Sequence, residues 1–358
     1  MIHCFSRHAG RSGWIVVALL LALGLVFTSW GASSGPGWAA AAEEGGTGMT
    51  LCPQPGWSPD YRVKEGHVFL HDGLYYYVST YLGQGSPDDP DYEKQFAYAS
   101  SPNLCVWTDL GPILPVNARN RPDQWDNWRI WTPSVFQEGG TYYMFYTGVR
   151  EQTYPPVMSM VQSIMLATST DPANPSSWLR RGMVFQPSHA GSRWPGCTDW
   201  CDCRDPYVFK EGDAYYMYYT AYDEVGGIIG LATATSLYGP WSDLGPIHVV
   251  DISMAENATL VEHNDLDYLF FNHSSPPGLG EVYVVGETSR GAWSEPVLFR
   301  PGWAHEFFVG YDGQAYVAYL THYLLEIRRL QWDDSVSPPR PWIEEGQVYT
   351  LWLPLARH

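Results

Sequence analysis

Short apolar stretches that alternate with polar residues recur along most of the chain, and turn residues separate them. One example is HVFLHDGLYYYVSTY, which begins at His67 and in which an Asp-Gly turn joins two runs with a period of two. Alternation with this period is typical of antiparallel strands, and no stretch of any length shows the period of an amphipathic helix. The pattern therefore predicts an all-β protein.

The predicted strands form a repeated unit. Each unit has an apolar strand, a Gly/Asp turn, a Tyr-rich strand, a third strand that ends in small residues, and a Trp before a return strand. Later units begin at Pro133, Asp205, Ala258 and Glu306, and the last one lacks the closing Trp. Repetition at about fifty to seventy residues, with roughly four strands per unit, predicts a five-bladed β-propeller.

Aromatic residues mark equivalent positions in these units and are expected to pack between blades. The equivalent tyrosines are Tyr76, Tyr143, Tyr216, Tyr268 and Tyr316, and the closing tryptophans are Trp107, Trp178, Trp241 and Trp293. No linker interrupts the series, so residues 59–358 are expected to form one domain. The last strand of the ring comes either from the tail that begins at Trp342 or from residues 50–63.

The N-terminal segment has the composition of a targeting sequence. Basic residues precede an apolar run from Trp14 to Trp30, and small residues follow up to Ala42. This order predicts a secretory signal peptide over residues 1–42, followed by a flexible leader over 43–58. An uncleaved membrane anchor is the alternative, although the run is short for a span. We expect a secreted protein with no stable membrane insertion after cleavage.

Cysteine usage agrees with export. Five cysteines lie after the predicted signal peptide, which are Cys52, Cys105, Cys197, Cys201 and Cys203. An oxidising compartment pairs most such residues, so we expect one disulfide within 197–203 and another between Cys52 and Cys105. A zinc site in the CTDWCDC segment is the alternative, but a structural zinc site needs four ligands.

Composition excludes several classes of function. The 358 residues include 38 Asp and Glu against 20 Lys and Arg, for a net charge of −18, and no run of basic residues offers a local patch. Nucleic acid is therefore not an expected partner. With 45% hydrophobic and 16% charged residues, the chain is also unlike disordered sequences. We expect a globular monomer.

Acidic residues recur where each blade begins. Glu65, Thr132 and Asp205 occupy the position before the first strand in three blades, Glu256 lies near it in the fourth, and His305 and Glu306 lie near it in the fifth. In a propeller these positions converge on one end of the central channel. Glycoside hydrolysis needs two carboxyl groups close together, because one carboxylic acid protonates the leaving oxygen while a second acts as base or nucleophile.

The motifs around these residues resemble the five-bladed glycoside hydrolases of families 43 and 32. CRDPYVFK at 203–210 is similar to their third-blade motif, and WTPSV at 131–135 is similar to the family 43 segment that opens blade two, with Ser134 in place of an Asp. AENATLV at 255–261 and PGWAHEFF at 301–308 are similar to the segments of blades four and five. The resemblance spans almost the whole mature chain.

This resemblance implies roles for particular residues. Glu256 takes the place of the general acid, and Asp205 that of the carboxylate that orients the substrate or raises the pKa of the acid. His305 matches a histidine that helps hold a calcium ion on the axis. No cofactor is otherwise required.

Blade one departs from both families, because VKEGHVFL replaces the usual Asp-containing motif. Glu65 falls at the matching position and is our candidate base or nucleophile, with His67 close enough to compete. If the chain reacts as family 43 does, the reaction inverts the configuration at the anomeric carbon. If it reacts as family 32 does, the configuration is retained.

Flanking residues are candidates for substrate binding. Trp131 is placed to stack on a sugar ring, Arg129 and Arg204 to bond hydroxyl or carboxylate groups, and His67 and His305 to contact the substrate. Together these features predict a secreted glycosidase that acts on arabinan-, xylan- or fructan-like carbohydrates. Two alternatives stay open: a non-catalytic glycan-binding propeller that has lost the blade-one carboxylate, and a propeller for protein interaction.

Overall fold

The five predicted units form five antiparallel sheets, which the structure, a computed structural model, arranges as the blades of a propeller. It describes residues 57, 59–117, 124–154, 157–197, 200–224, 226–251, 254–273, 280–300, 305–321 and 323–343, all within the compact unit Ser34–His358. The predicted signal peptide lies outside the described residues, as does nearly all of the predicted leader.

The first two blades contain the strands before residue 202. Blade one consists of β1 (Val63–His71), β2 (Leu74–Tyr81), β3 (Phe96–Ser101) and β4 (Thr108–Asp109). Blade two consists of β5 (Arg129–Glu138), β6 (Thr141–Tyr154), β7 (Val157–Ser169) and β8 (Leu179–Phe185), and the short β9 (Trp200–Cys201) pairs in parallel with β7.

The other three blades repeat this order. Blade three consists of β10 (Cys203–Glu211), β11 (Ala214–Tyr222), β12 (Gly226–Ala234) and β13 (Ser242–Asp251). Blade four consists of β14 (Ala255–His263), β15 (Leu266–His273), β16 (Glu281–Gly286) and β17 (Val297–Arg300). Blade five consists of β18 (Glu306–Val309), β19 (Ala315–Thr321), β20 (Leu324–Asp333) and β21 (Arg340–Ile343).

The described residues contain no α-helix, and a 3-10 turn at Pro175–Ser177 precedes β8. No helix in these parts of the chain is long and apolar enough to span a membrane.

The first strands of the blades make the ring. β1 contacts β5, β5 contacts β10, β10 contacts β14, β14 contacts β18, and β18 returns to β1. Each blade therefore presents its first strand to the central channel, as the repeat predicted. This arrangement brings residues from distant parts of the sequence to one channel.

The aromatic repeat is confirmed as packing. The equivalent tyrosines all lie on second strands, where Tyr76 pairs with Phe69, and Tyr216 pairs with Phe209. The apolar clusters cross from one blade to the next; for example, Phe69 of blade one packs with Tyr142 of blade two at a ring distance of 5.6 Å. Burial of such side chains stabilises each blade interface, at roughly 1.5–3 kcal/mol per large side chain.

Both segments proposed for ring closure contribute to blade five. β21, which contains Trp342, pairs with the end of β20 from Leu330 to Asp333. Trp57 forms a bridge with Leu325 near the start of β20, and its carbonyl accepts the Leu325 N–H at 3.3 Å. The outer edge of blade five is therefore covered from both ends of the propeller sequence, which leaves less unpaired strand edge.

Candidate active site

A bulge interrupts the first strand of four blades at the channel. The register shifts at Glu65 in β1, Thr132 in β5, Asp205 in β10 and Asn257 in β14. All four residues have a positive φ, at 41°, 40°, 55° and 57°. We expected Glu65, Thr132 and Asp205 to lie just before the first strand of each blade. The structure places them within that strand, because the hydrogen-bond ladder continues on both sides of the bulge.

The bulge turns the side chain toward the axis and leaves its N–H without a ladder partner. A threonine of the preceding blade supplies that partner twice. Thr80 Oγ1 accepts the Thr132 N–H at 3.0 Å, and Thr147 Oγ1 accepts the Asp205 N–H at 3.1 Å. The second strand of one blade therefore fixes the functional residue of the next.

We predict that Thr147→Val destabilises the protein. Thr147 is fully buried, so the variant leaves the Asp205 N–H buried and unpaired, which costs about 1–3 kcal/mol of the free energy of unfolding. Urea denaturation followed by tryptophan fluorescence measures this loss. Thr108→Val, on an exposed strand, is the control and should change stability by less than about 0.5 kcal/mol. Equal stability of the two variants would contradict the role of Thr147.

Thr132 connects two of the predicted catalytic carboxyl groups. Its Oγ1 lies 2.9 Å from Glu65 Oε2 and 2.8 Å from Asp205 Oδ1. A hydroxyl has one proton to donate, so the second hydrogen bond requires a proton on one of the carboxyl groups. Glu65, Thr132 and Asp205 thus form a partly buried hydrogen-bonded chain that holds a shared proton.

Arg204 connects Asp205 with Glu256, the third predicted carboxyl group. Its NH2 donates to Glu256 Oε2 at 2.9 Å and its Nε to the same oxygen at 3.2 Å. The Nε also lies 3.5 Å from Asp205 Oδ2, and NH1 donates to Asp202 Oδ1. Glu65, Asp205 and Glu256, which the sequence predicted to meet, are therefore joined through Thr132 and Arg204.

Lys64 brings a positive charge to the same region. Its Nζ lies 3.6 Å from Glu65 Oε2 and 2.9 Å from Glu93 Oε1, and it also lies over the Trp131 ring at 5.0 Å from the centroid. Glu93 in turn accepts a hydrogen bond from Arg129 NH1. Arg129 and Trp131 therefore border the carboxyl groups through charged neighbours.

Burial sets the protonation of the three carboxyl groups. Burial raises the pKa of Glu256, Arg204 opposes this rise, and the charge of Glu65 adds to it, so the net pKa lies above its ordinary value. The pKa of Glu65 is likewise raised by burial against Lys64, and that of Asp205 by burial against Arg204. A carboxyl group with a raised pKa keeps its proton to higher pH than an ordinary carboxyl group does, which is what a general acid requires.

Both candidate histidines lie next to acidic residues, and of the two, His305 forms a hydrogen bond to its neighbour while the His67 contact lacks hydrogen-bond geometry. His67 Nδ1 is 2.6 Å from Glu306 Oε1, and the buried His305 Nδ1 is 3.1 Å from Glu281 Oε2. Burial lowers the pKa of His305 to about 3, so its ring is neutral. His305 and Glu306 line an axial cavity with Glu65, Thr132 and Asp205, and its free volume of about 20 Å³ suits a single water molecule.

The surroundings of His305 fit a calcium ion poorly. Calcium takes 6–8 oxygen ligands, whereas His305 offers nitrogen. Within the described ranges, no three or more His, Cys, Asp or Glu side chains are grouped so as to hold a metal ion. Calcium at His305 stays a prediction.

The structure confirms one of the two predicted disulfides, the one within residues 197–203. Cys197 and Cys201 form a disulfide just before Arg204, and Cys203 is a buried free thiol. Cys105 is also disulfide-bonded, while Cys52, its expected partner, lies outside the described residues.

Sequence reasoning missed several residues that build this site. Lys64 was next to a candidate but gave no signal, and Glu93 and Asp202 lie in irregular insertions outside the repeat. Thr132 was aligned with Glu65 and Asp205, and this alignment was the available signal that its hydroxyl faces them.

The family of the chain follows from its first three blades and most of the fourth. Residues 64–290 match the family described as "Glycosyl hydrolases family 32 N-terminal domain". The chain belongs to glycosyl hydrolase family 32. The match covers β1 to β16 and contains Glu65, Asp205 and Glu256, so the linked carboxyl groups lie within the family domain.

Curated relatives of this family 32 chain carry another sugar-hydrolase name. A "Probable arabinan endo-1,5-alpha-L-arabinosidase A" of Neosartorya fischeri is 26% identical over 227 residues, and a protein of the same name from Aspergillus flavus is 29% identical over 184 residues. These alignments cover 60% and 49% of this chain and 60% and 51% of the relatives. The family 32 chain thus spans between half and two thirds of their length.

Solved structures share the fold of this family 32 chain. A thermostable family-43 glycoside hydrolase has a TM-score of 0.59 at 18% identity, covering 83% of this chain and 96% of that one. Sucrose-6-phosphate hydrolase from Lactobacillus gasseri has a TM-score of 0.60 at 18% identity, covering 79% and 63%. At this level of identity the likeness concerns the propeller alone, whose five blades agree with the predicted fold.

Proposed function

We propose that this family 32 chain is a secreted glycoside hydrolase that cleaves O-glycosidic bonds in arabinan-, xylan- or fructan-like carbohydrates. The observation that supports it best is the convergence of three carboxyl groups from three blades, joined by Thr132 and Arg204. Asp205 and Glu256 are buried and Glu65 is half-buried. Two carboxyl groups with separate partners are what acid and base roles require.

Glu256 is the proposed general acid. Its raised pKa keeps a proton available, and Arg204 holds the carboxyl group in one orientation. In this role Glu256 donates its proton to the glycosidic oxygen as the bond to the anomeric carbon breaks. Arg204 then stabilises the carboxylate that remains.

Glu65 is the proposed base or nucleophile. Lys64 lies beside it and favours its ionised form, while Thr132 joins it to Asp205. With the shared proton on Asp205, Glu65 is free to activate water or to attack the anomeric carbon itself. Proton NMR of the first product anomer decides between these courses, because water activation inverts the centre and a glycosyl-enzyme intermediate retains it.

Substrate binding is proposed for the residues at the border of the carboxyl groups. Trp131 offers its ring, Arg204 and Arg129 offer guanidinium groups, and His67 and His305 complete the predicted set. Secretion is proposed from the signal peptide, in agreement with the Cys197–Cys201 disulfide. The protein is proposed to act as a monomer without a required cofactor.

Activity on a panel of carbohydrates tests the proposed function. Arabinan is tested first because the curated relatives are named arabinosidases, and xylan, inulin and aryl glycosides follow. We expect turnover of at least one substrate. No turnover with retained sugar binding would instead support the non-catalytic glycan-binding propeller.

We predict that Lys64→Met moves the pH profile of kcat/KM to higher pH. Lys64 lowers the pKa of Glu65 and, more weakly, that of Glu256. Without it, Glu65 ionises only at higher pH, so the acidic limb moves up, and Glu256 keeps its proton to higher pH, so the alkaline limb moves up as well. Lys94→Met removes an equal charge from the loop that contains Glu93 and is expected to leave the profile in place. An unmoved profile in Lys64→Met would argue against Glu65 as the base.

A further inference from the structure

The structure has a second cleft that is larger than the axial cavity. The axial cavity between Glu65 and Asp205 has a free volume of about 20 Å³. A second cleft of about 170 Å³, which we call the insertion cleft, is lined by Arg193, Trp194, Trp200, Asp202 and Tyr222. Four of these residues belong to the insertion 186–203, which is not part of the blade repeat.

The insertion cleft adjoins the proposed acid. Asp202 lines the cleft and accepts a hydrogen bond from Arg204, whose guanidinium group also binds Glu256. Tyr222 lies at the end of β11 on the same side. Burial raises the pKa of its hydroxyl, the charges of Asp202 and Glu256 add to this rise, and the charge of Arg204 opposes it.

The cleft presents two indole rings whose N–H groups already have partners. Trp200 Nε1 donates to Asp202 Oδ1 at 2.7 Å, and Trp194 Nε1 donates to the Gln162 carbonyl at 2.8 Å. A ligand would therefore contact these residues through the exposed parts of their rings. Trp200 is 51% exposed and stacks with Trp131 at 24° and 6.4 Å.

Polar groups complete the lining. Arg193 is exposed and has no ion pair within the described parts of the chain, so its donors are available. The Tyr222 hydroxyl supplies a further donor or acceptor. Flat apolar faces beside a few hydrogen-bonding groups suit a sugar ring, which has an apolar C–H face and a rim of hydroxyl groups.

The position of Trp200 is fixed before any ligand binds. β9 pairs Trp200 with Met160 of blade two, and the disulfide between Cys197 and Cys201 closes the loop directly beside it. A side chain that is already held in place loses little conformational freedom on binding.

We propose that the insertion cleft is a subsite that binds a second sugar unit next to the unit that is cleaved. This subsite selects carbohydrate chains over single glycosides. The inference rests on the proposed function for the place of cleavage, whereas binding in the cleft is independent of turnover.

Binding to an inactive protein tests the subsite directly. Linear pentasaccharides of 1,5-α-arabinose, β-1,4-xylose and β-2,1-fructose are titrated into Glu256→Gln by calorimetry. At least one pentasaccharide is expected to bind, and adding Trp200→Ala is expected to weaken that Kd about tenfold, which corresponds to ~1.4 kcal/mol. Trp342→Ala, a tryptophan 47% exposed on blade five, is the matched control and should leave Kd unchanged.

Two further variants separate binding from misfolding. Trp200→Phe keeps an aromatic face and is expected to recover most of the affinity, while Tyr222→Phe removes the hydroxyl alone and is expected to weaken binding. In the active protein, Trp200→Ala should lower kcat/KM on the pentasaccharide about tenfold more than on an aryl glycoside, which corresponds to ~1.4 kcal/mol.

The outcomes distinguish this inference from the proposed function. Equal affinities of the Trp200 and Trp342 variants, or no binding of any of the three pentasaccharides, would overturn the subsite. Binding that depends on Trp200 in a protein without turnover would support the subsite and overturn the glycosidase.

Discussion

Replacing Glu256 by Gln is expected to lower kcat on polysaccharide by about two to four orders of magnitude, the usual contribution of a general acid. Gln has the same shape and keeps an oxygen for Arg204, but it has no acidic proton for the leaving oxygen. The loss should depend on the leaving group. A dinitrophenyl glycoside, whose leaving group needs no proton, should lose far less activity than the natural linkage.

Initial rates on the polysaccharide and on aryl glycosides of graded leaving-group pKa measure this effect. Glu262→Gln is the matched control, since Glu262 lies on the same strand, β14, at the end away from Arg204. It should retain activity. A Glu256→Gln variant with wild-type rates on the polysaccharide would remove Glu256 from the mechanism.

Replacing Glu65 by Gln is expected to cause a comparable loss of about two to four orders of magnitude, but on every substrate. The base or nucleophile acts on the anomeric carbon or its water whatever group departs, so activated aryl glycosides should not be spared. The contrast between the two variants assigns the roles. The measurement is kcat of each variant on the dinitrophenyl glycoside and on the natural substrate, and the ratio of these two values is compared between the variants.

His67 is the competing candidate for this role, and His67→Gln is the comparison. His67 Nδ1 faces Glu306, whereas Glu65 faces Thr132 and Asp205. We therefore expect His67→Gln to lower kcat by less than Glu65→Gln does. The reverse order would move the base to His67 and would leave Glu65 as a partner of Lys64.

Much of the fold followed from local patterns. The tyrosine positions predicted the second strands, and the closing tryptophans Trp178 and Trp241 stand directly before β8 and β13. These signals are local, because strand alternation has a period of two and turns need particular residues. Ring closure was left open between two segments, since Trp57 and Trp342 carry no sequence signal for pairing with the same strand.

The sequence by itself determined the blade count, the inward position of Glu65 and Asp205, and the presence of Glu256 in the corresponding part of blade four. Repetition makes these positions comparable without any knowledge of distances. Only the tertiary structure decided their partners. Thr132 meets Glu65 and Asp205, and Arg204 meets Glu256, across blade boundaries that no periodic pattern encodes.

The same limit applies to the insertions that surround the channel. Glu93 and Asp202 lie in irregular loops, and Trp200 lies on the short β9 outside the blade repeat, where neither alternation nor repeat phase predicts which way a side chain points. Their contacts depend on how these loops pack against other blades. Local chemistry therefore specified the propeller and its acids, while long-range packing specified the protonation, orientation and sugar-sized space around them.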